Sequence, residues 1–389
     1  METMTKYSDV VYLDHQATTP VDSRVFAAME PFFKDFFQNP HTDNYRSAVE
    51  VREVVEKARI QIARATGARH ASSIVFTGSA TEANNLAIQG VASAARKGRN
   101  KILTLATEHK AVLEPARAMS GAGFEILVLK VRPNGIVDLD VLRKYIDSST
   151  LLLSVMMVNN ETGVIQPIKE ITQICHEHGV IVHSDCAQTL GKVSVNVSEL
   201  DLDLATFSAH KAYGPKGIGC LYMRRRPKIS IKPVIFGGGQ EGGLRSGTLP
   251  VPLCVGFGVA AEIAGKEVVQ DTKRINELTS ILFQGIKKIK PDAVLNGDSE
   301  QRAPGCLNVI FPGYRSESFL QAIPQVAAST GSACAATETK PSHVLRALGL
   351  SKEQANSSIR FGIGRGTTKV EILKTLDVMG AVINSDLKG

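Results

Sequence analysis

The sequence predicts an α/β protein, with a large domain built on a mainly parallel sheet and a smaller α+β domain beside it. Three observations carry that prediction. Between residues 73 and 185, short apolar runs alternate with stretches of helical periodicity, the pattern of repeated strand–helix units. The runs are continuously apolar, as expected of strands covered on both faces. Beyond residue 250 the order changes to a long helical stretch, three weaker strand segments and a last helix, which suits helices packed on a separate small sheet. A chain of 389 residues with 43% hydrophobic content can bury such a core.

VVYLDHQATTP reads as a short strand leading into a turn, and residues 21–37 and 47–65 show helical spacing, interrupted by the polar loop FQNPHTDNYR. The alternating region follows as strand SIVFTG, helix 80–97, strand KILTLA, helix 110–121, strand FEILVL, helix 138–146, strand TLLLSVMMV, helix 167–178 and strand VIVHSD. Apolar residues 204–207 end another buried strand, after which Ser208, Ala209, His210 and Lys211 enter a loop closed by Gly214 and Pro215. Residues 250–290 read as helical with a break at Gly265, then weaker strands at 293–296, 305–311 and 357–362, and a final helix from 368. No internal repeat or low-complexity linker divides the chain. The expected division is 14–255 for the large domain, with 1–13 and 256–389 forming the small one.

The net charge of +7 is dispersed, its tightest run being Arg224, Arg225, Arg226 and then Lys228, and aromatics make up only 5%. This argues against nucleic acid as a direct ligand. No apolar run reaches the roughly eighteen residues of a membrane span, and METMTKYSDV has neither a signal-peptide core nor an Arg-rich amphipathic helix. The expectation is a cytoplasmic protein without membrane attachment. Six cysteines, at 175, 186, 220, 254, 306 and 334, form no C-x-x-C pair, so neither a metal site nor a disulfide framework is expected. Cys175, Cys220, Cys254 and Cys306 sit in apolar segments and read as packing, as does Cys186. Cys334 lies in STGSACAATETKPS, too small and polar to anchor a packed segment; residues 329–340 are expected to form a mobile loop carrying an available thiolate.

Two strand exits converge. VIVHSD delivers Asp185, with Gln188 just beyond, and the next strand delivers Ser208, His210 and Lys211. In α/β sheets the carboxyl edge is where ligands bind. An acid and a lysine together at that edge suit pyridoxal phosphate, whose aldehyde condenses with the amine while a carboxylate keeps the pyridine nitrogen protonated. At FTGSATEANN, Gly78 to Thr81 lie between strand and helix, a place where amides and hydroxyls can face an anion; the same turn would serve as a plain helix cap. His109, after KILTLA, stands at the same sheet edge as Asp185 and Lys211 and by itself reads as a cap or a hydrogen-bonded structural residue. Asn159 and Asn160 follow another strand end and by themselves read as an Asx-type turn. Arg360, in an apolar strand, needs a carboxylate, either an internal one or that of an amino acid. The S-x-x-K spacing of Ser208 and Lys211 has no S-D-N or K-T-G partner and is coincidental.

HSDCAQT, FSAHKAYGPKG, NNETG and RSGTLP resemble the pyridoxal-phosphate cysteine desulfurases of the class V aminotransferase superfamily, of the NifS/IscS-like first group, from about Tyr12 to about residue 380. The resemblance implies a fold-type I architecture with a seven-stranded, mainly parallel large sheet, and pyridoxal 5'-phosphate as cofactor. It implies that Lys211 carries the cofactor and moves the substrate α-proton, that Asp185 faces the ring nitrogen and that His109 stacks on the ring and relays protons, as a catalytic acid in the cleavage step. It assigns Ala80, Thr81, Ser208 and His210 to the phosphate, Asn160 and Gln188 to the ring oxygen, and Arg360, Asn39 and Asn160 to the substrate. Thr248 is implied as a hydroxyl lent by the partner subunit of a homodimer. L-cysteine would yield L-alanine, its sulfur passing to Cys334 as a persulfide and onward to an acceptor protein for iron–sulfur cluster assembly, tRNA thiolation or DNA phosphorothioation. Selenocysteine lyase, another class V aminotransferase and a non-catalytic sulfur-transfer subunit are the alternatives. The chain departs from the family in its Gly78-Ser79-Ala80-Thr81 order, in Tyr45, in Cys186 and in ending at NSDLKG where housekeeping members carry a longer scaffold-docking tail.

Overall fold

The structure, a computed structural model, describes residues 10–330 and 341–386. The chain opens with β1 (Val11–Tyr12), α1 (Ser23–Met29), α2 (Pro31–Lys34) and α3 (Arg46–Thr66). The helical stretch expected at 21–37 is therefore two helices, because Pro31 cannot continue the first but suits the opening turn of the second. Then come β2 (Ile74–Thr77), α4 (Ala80–Ser93), β3 (Lys101–Leu105), α5 (Lys110–Ala118), β4 (Glu125–Leu129), α6 (Leu139–Tyr145), β5 (Thr150–Ser154), α7 (Ile168–Glu177), β6 (Ile181–Asp185), β7 (Leu204–Ser208) and β8 (Gly219–Met223).

These strands form one seven-stranded sheet in the order β2-β8-β7-β6-β5-β3-β4. The pairs from β7 through β4 are parallel, and β8 runs antiparallel to both its neighbours. β8 lies outside the strand–helix alternation, following β7 through a loop that holds only the 3₁₀ turn Ala209–Lys211. β3, β5, β7 and β8 are buried along their whole length. Leu103, Leu153, Val182 and Phe207 from four of these strands contribute to one apolar core.

The second part comprises α8 (Val251–Ile289), β9 (Val294–Leu295), β10 (Cys306–Ile310), α9 (Ser316–Ala322), β11 (Val326–Ala327), β12 (Ser329–Thr330), α10 (His343–Ala347), α11 (Lys352–Asn356), β13 (Ser358–Gly362) and α12 (Lys369–Asp386). Gly265 does not break α8, which runs on through it; the helix passes close to α3 there, and a Cβ at Gly265 would lie 3.7 Å from Ala65. At Gly258 the approach is closer still, with a Cβ falling 2.6 Å from the Ala58 Cα. Up to Ala264, α8 packs in the large core, and from Ile275 it joins a second core with Val11, Leu307 and Phe361. Ser329 and Thr330, expected at the start of a loop, instead pair with Arg360 and Ile359 in a four-stranded sheet ordered β12-β13-β10-β9.

Candidate active site

The carboxyl edge of the large sheet opens onto a cavity of about 920 Å³. β6 ends in Asp185, whose carboxylate accepts from Asn84 Nδ2 (2.7 Å) and the Ala187 amide (2.9 Å). β7 ends in Ser208, and a single 3₁₀ turn over Ala209–Lys211 brings Lys211 back to the same cavity. The Lys211 Nζ donates to the carbonyls of Gln16 and Ala17, both at 2.6 Å. These oxygens hold the amine at the cavity wall.

His109 caps α5, its Nδ1 accepting from the Ala111 amide at 3.1 Å. The cap is compatible with a functional ring, because the neutral imidazole then carries its proton on Nε2, and the residue lines the cavity. Burial lowers its pKa, with the Lys211 charge adding and Asp185 opposing. A neutral ring suits stacking and proton exchange.

The expected anion cradle is present in an altered form. Ser79 is the cap of α4, accepting from the Glu82 amide at 3.1 Å, while Glu82 accepts from the Gly78 amide (2.8 Å) and pairs with Arg245 (2.8 Å). The Ser79 hydroxyl is thereby engaged, and Ala80, Thr81, Ser208 and His210 line the cavity beside it. His210 Nδ1 meets Thr18 Oγ1 at 3.0 Å, and burial, with the neighbouring Lys211, pushes its pKa down to about 4. Gly219 of β8 makes this packing possible: a Cβ there would lie 2.7 Å from the Ser79 carbonyl carbon and 2.8 Å from the Ala80 nitrogen.

The asparagine pair divides its roles. Asn159 Oδ1 accepts from the amides of Glu161 and Thr162, both at 2.9 Å, which is the Asx turn. Asn160 lines the cavity, and its buried Oδ1 has no hydrogen-bond partner among the described residues. Arg360 also combines its two expected roles. It pairs with Asp14 (2.7 Å) and donates to the Asn160 carbonyl (2.9 Å), yet lines the cavity with Nε unpartnered among the described residues. Gln188 lines the cavity and donates Nε2 to the Gln16 carbonyl at 2.9 Å.

Two expected residues are elsewhere in the described chain. Asn39 is exposed and caps its own turn, accepting from the His41 amide at 3.0 Å. Thr248 is exposed and does not line the cavity. Cys334 lies outside the described residues.

The structure adds residues that the sequence had not singled out. Glu108 is fully buried; Oε1 accepts from the Met156 amide (2.8 Å), Oε2 has no partner among the described residues, and burial beside Asp185 raises its pKa well above the carboxylate range. Its backbone carbonyl accepts from His343 Nε2 at 2.9 Å, and His343 lines the cavity. Glu161 accepts from the Ser342 hydroxyl, and burial pushes its pKa up to about 7. Adjacency to His109, and Ser342 as a cap before His343, were the available signals; the buried partnerships come from distant segments and leave no local pattern.

Pyridoxal 5'-phosphate fits this donor set: an amine on carbonyl supports, a carboxylate fixed by two N–H groups, an imidazole, a helix N-terminus, and an amide oxygen open to the cavity. The chain matches the family described as Aminotransferase class-V over residues 11–374. It is 49% identical over 374 residues to a protein named cysteine desulfurase IscS from Rickettsia bellii (strain OSU 85-389), covering 96% of this chain and 91% of that one. A solved structure named NifS-like protein superposes with a TM-score of 0.90 at 35% identity, covering 96% of this chain and 99% of that one. Another, SspA in complex with cysteine, gives 0.80 at 34% identity, covering 92% and 99%. The sheet edge, the residues gathered there and these similarities lead to one assignment: the chain belongs to the class-V aminotransferase family, on the branch of the cysteine desulfurases.

Proposed function

We propose that this protein is a pyridoxal-phosphate-dependent cysteine desulfurase that converts L-cysteine to L-alanine and passes the sulfur on through Cys334. The observation that carries the reading is the meeting of Lys211, Asp185 and His109 at one cavity of a chain 49% identical to a named cysteine desulfurase. Pyridoxal 5'-phosphate supplies, when bound, an electron sink for the substrate α-carbon. Lys211 holds the cofactor and then moves the α-proton. Asp185, kept in place by Asn84 and Ala187, faces the ring nitrogen. Ala80, Thr81, Ser208 and His210 hold the phosphate, while Asn160 and Gln188 face the ring oxygen. Arg360 takes the substrate carboxylate, and its Nε, unpartnered among the described residues, supports that role. Asn39 is proposed as a substrate contact from the family motif alone.

In the sulfur-transfer step the Cys334 thiolate attacks the substrate sulfur. A new S–S bond forms, the substrate Cβ–S bond breaks with its electron pair passing to the carbon framework, and that framework takes up a proton, with His109 as donor, and leaves as alanine. The persulfide then serves an acceptor protein; the relative's IscS name favours iron–sulfur assembly. Among the described residues no helix is long and apolar enough to cross a membrane. We also place residues 14–255 in a cofactor-holding unit and 1–13 with 256–389 in a second one, and infer a homodimer in which Thr248 reaches the partner's phosphate site. Its exposure away from its own cavity supports that placement.

The purified protein should release alanine from L-cysteine with persulfide formed in equal amount. Preferential turnover of L-selenocysteine, with no protein persulfide, would replace this reading with a lyase. Borohydride reduction should attach the cofactor to Lys211, and an adduct at any other lysine would end that assignment.

A further inference from the structure

The two ends of a glutamine side-chain amide have nearly the same shape, so only their partners decide which end faces a ligand. Gln188 is buried against the cavity. Its Nε2 donates to the Gln16 carbonyl at 2.9 Å, and its Oε1 accepts from Lys192 Nζ. The Gln16 carbonyl is also the acceptor of Lys211 Nζ at 2.6 Å. A continuous chain of hydrogen bonds therefore runs from Lys192 through Gln188 and Gln16 to Lys211.

Turning the amide over would set Oε1 against the Gln16 carbonyl, acceptor to acceptor, and Nε2 against the Lys192 amine, donor to donor whenever that amine is charged. The lysine itself is held from both sides: its amide donates to the Thr189 carbonyl (3.0 Å), and its carbonyl accepts from Thr272 Oγ1 of α8 (3.3 Å). Burial, reinforced by the like charge of Lys211, pushes its pKa down to about 7. Either charge state keeps an N–H to give to Gln188.

We propose that Lys192 is a positioning residue of the cofactor site, fixing the Gln188 amide with its N–H end toward the cavity so that this donor meets the ring oxygen. The inference rests on the placement of Gln188 at that oxygen in the proposed function. A donor there spreads the negative charge of the oxygen and weakens its hold on the proton shared with the lysine-bound cofactor nitrogen. Loss of the donor therefore raises the pH at which that proton leaves.

The test uses the holoenzymes of wild type, Lys192→Met, Lys192→Arg, Gln188→Ala and the double variant, with Lys192→Leu as a second removal of the N–H donor should the methionine variant fail to fold. The readout is the visible absorption band of the bound cofactor and the pH midpoint of its titration. Gln188→Ala should raise the midpoint by about one unit, Lys192→Met should raise it by a comparable amount, Lys192→Arg should restore it, and the double variant should match Gln188→Ala. A midpoint that moves in Gln188→Ala but not in Lys192→Met overturns the inference alone. So does a further, additive shift in the double variant, because Lys192 would then act through its charge. A Gln188→Ala midpoint equal to wild type removes Gln188 from the ring oxygen, and the inference with it.

Discussion

Burial sorts the thiols of this chain. Cys175 and Cys186 are pushed up to about 12, and Cys220, Cys254 and Cys306 are raised in the same way. Such groups hold almost no thiolate at neutral pH. A thiol reagent at pH 7.5 should therefore react rapidly with Cys334 alone, and fast labelling should vanish in Cys334→Ser; rapid modification of a second cysteine in the folded protein would contradict the assignment. Asp185→Asn is expected to fold, because Asn84 Oδ1 has no partner among the described residues and the amide can turn to meet the new side chain. It should lower kcat roughly 100-fold or more, about 3 kcal/mol of barrier, by removing the charge that serves the ring. Turnover within a few-fold of wild type would show that another group protonates the nitrogen. Lys211, Asp185 and His109 were legible because each stands at, or a few residues beyond, the carboxyl end of an apolar strand. Glu108 and Lys192 were not, since a buried carboxyl or amine is recognised by what surrounds it and those surroundings come from residues far apart in sequence.

Elements carry their own constraints. The alternating apolar runs predicted the parallel part of the sheet well, while β8 escaped as an antiparallel strand of five residues outside the strand–helix alternation, and Gly265 misled because an isolated glycine is tolerated in a helix that packs into a core on either side of it. Gly219→Ala should force the Ser79–Ala80 turn away from the sheet and weaken cofactor binding at least 10-fold, about 1.4 kcal/mol, with little loss of secondary structure. Equilibrium titration of the apoprotein with cofactor measures this, and unchanged affinity would show that the cradle does not depend on the close packing. On α7, His176 bridges Asp203 and Asp201, each at 2.9 Å, and its pKa is raised by the bond to Asp203. A raised folded-state pKa means the contribution is full below the ordinary histidine pKa and is lost as pH rises through the folded value. His176→Asn should therefore cost about 0.5–1 kcal/mol near pH 6, a figure kept small because the ring is partly solvated, and progressively less at alkaline pH. A penalty that grows with pH in chemical denaturation would reverse this account.

At the scale of the molecule, the two apolar cores meet along α8, which begins in the large sheet's core and ends in the other. The cavity draws on both, with Lys211 and Asp185 from the first part and His343 and Arg360 from the second. Among the described residues Phe236 is 80% exposed and Phe37 74% exposed, with Phe26 and Phe33 also uncovered, and the proposed homodimer would give such side chains a partner surface. Sedimentation should accordingly show a dimer. Mixing Lys211→Ala with Thr248→Val subunits should give hybrids with one site carrying both wild-type residues, whose activity exceeds that of either parent. The central claim, that sulfur leaves the cavity on Cys334, is tested most directly by mass spectrometry of protein mixed with L-cysteine and quenched within one turnover. The peptide carrying Cys334 should gain one sulfur atom, with alanine released in equal amount, and neither product should form in Cys334→Ser although L-cysteine still perturbs its absorption band. Persulfide on another cysteine, or alanine formed at the wild-type rate by Cys334→Ser, would contradict it.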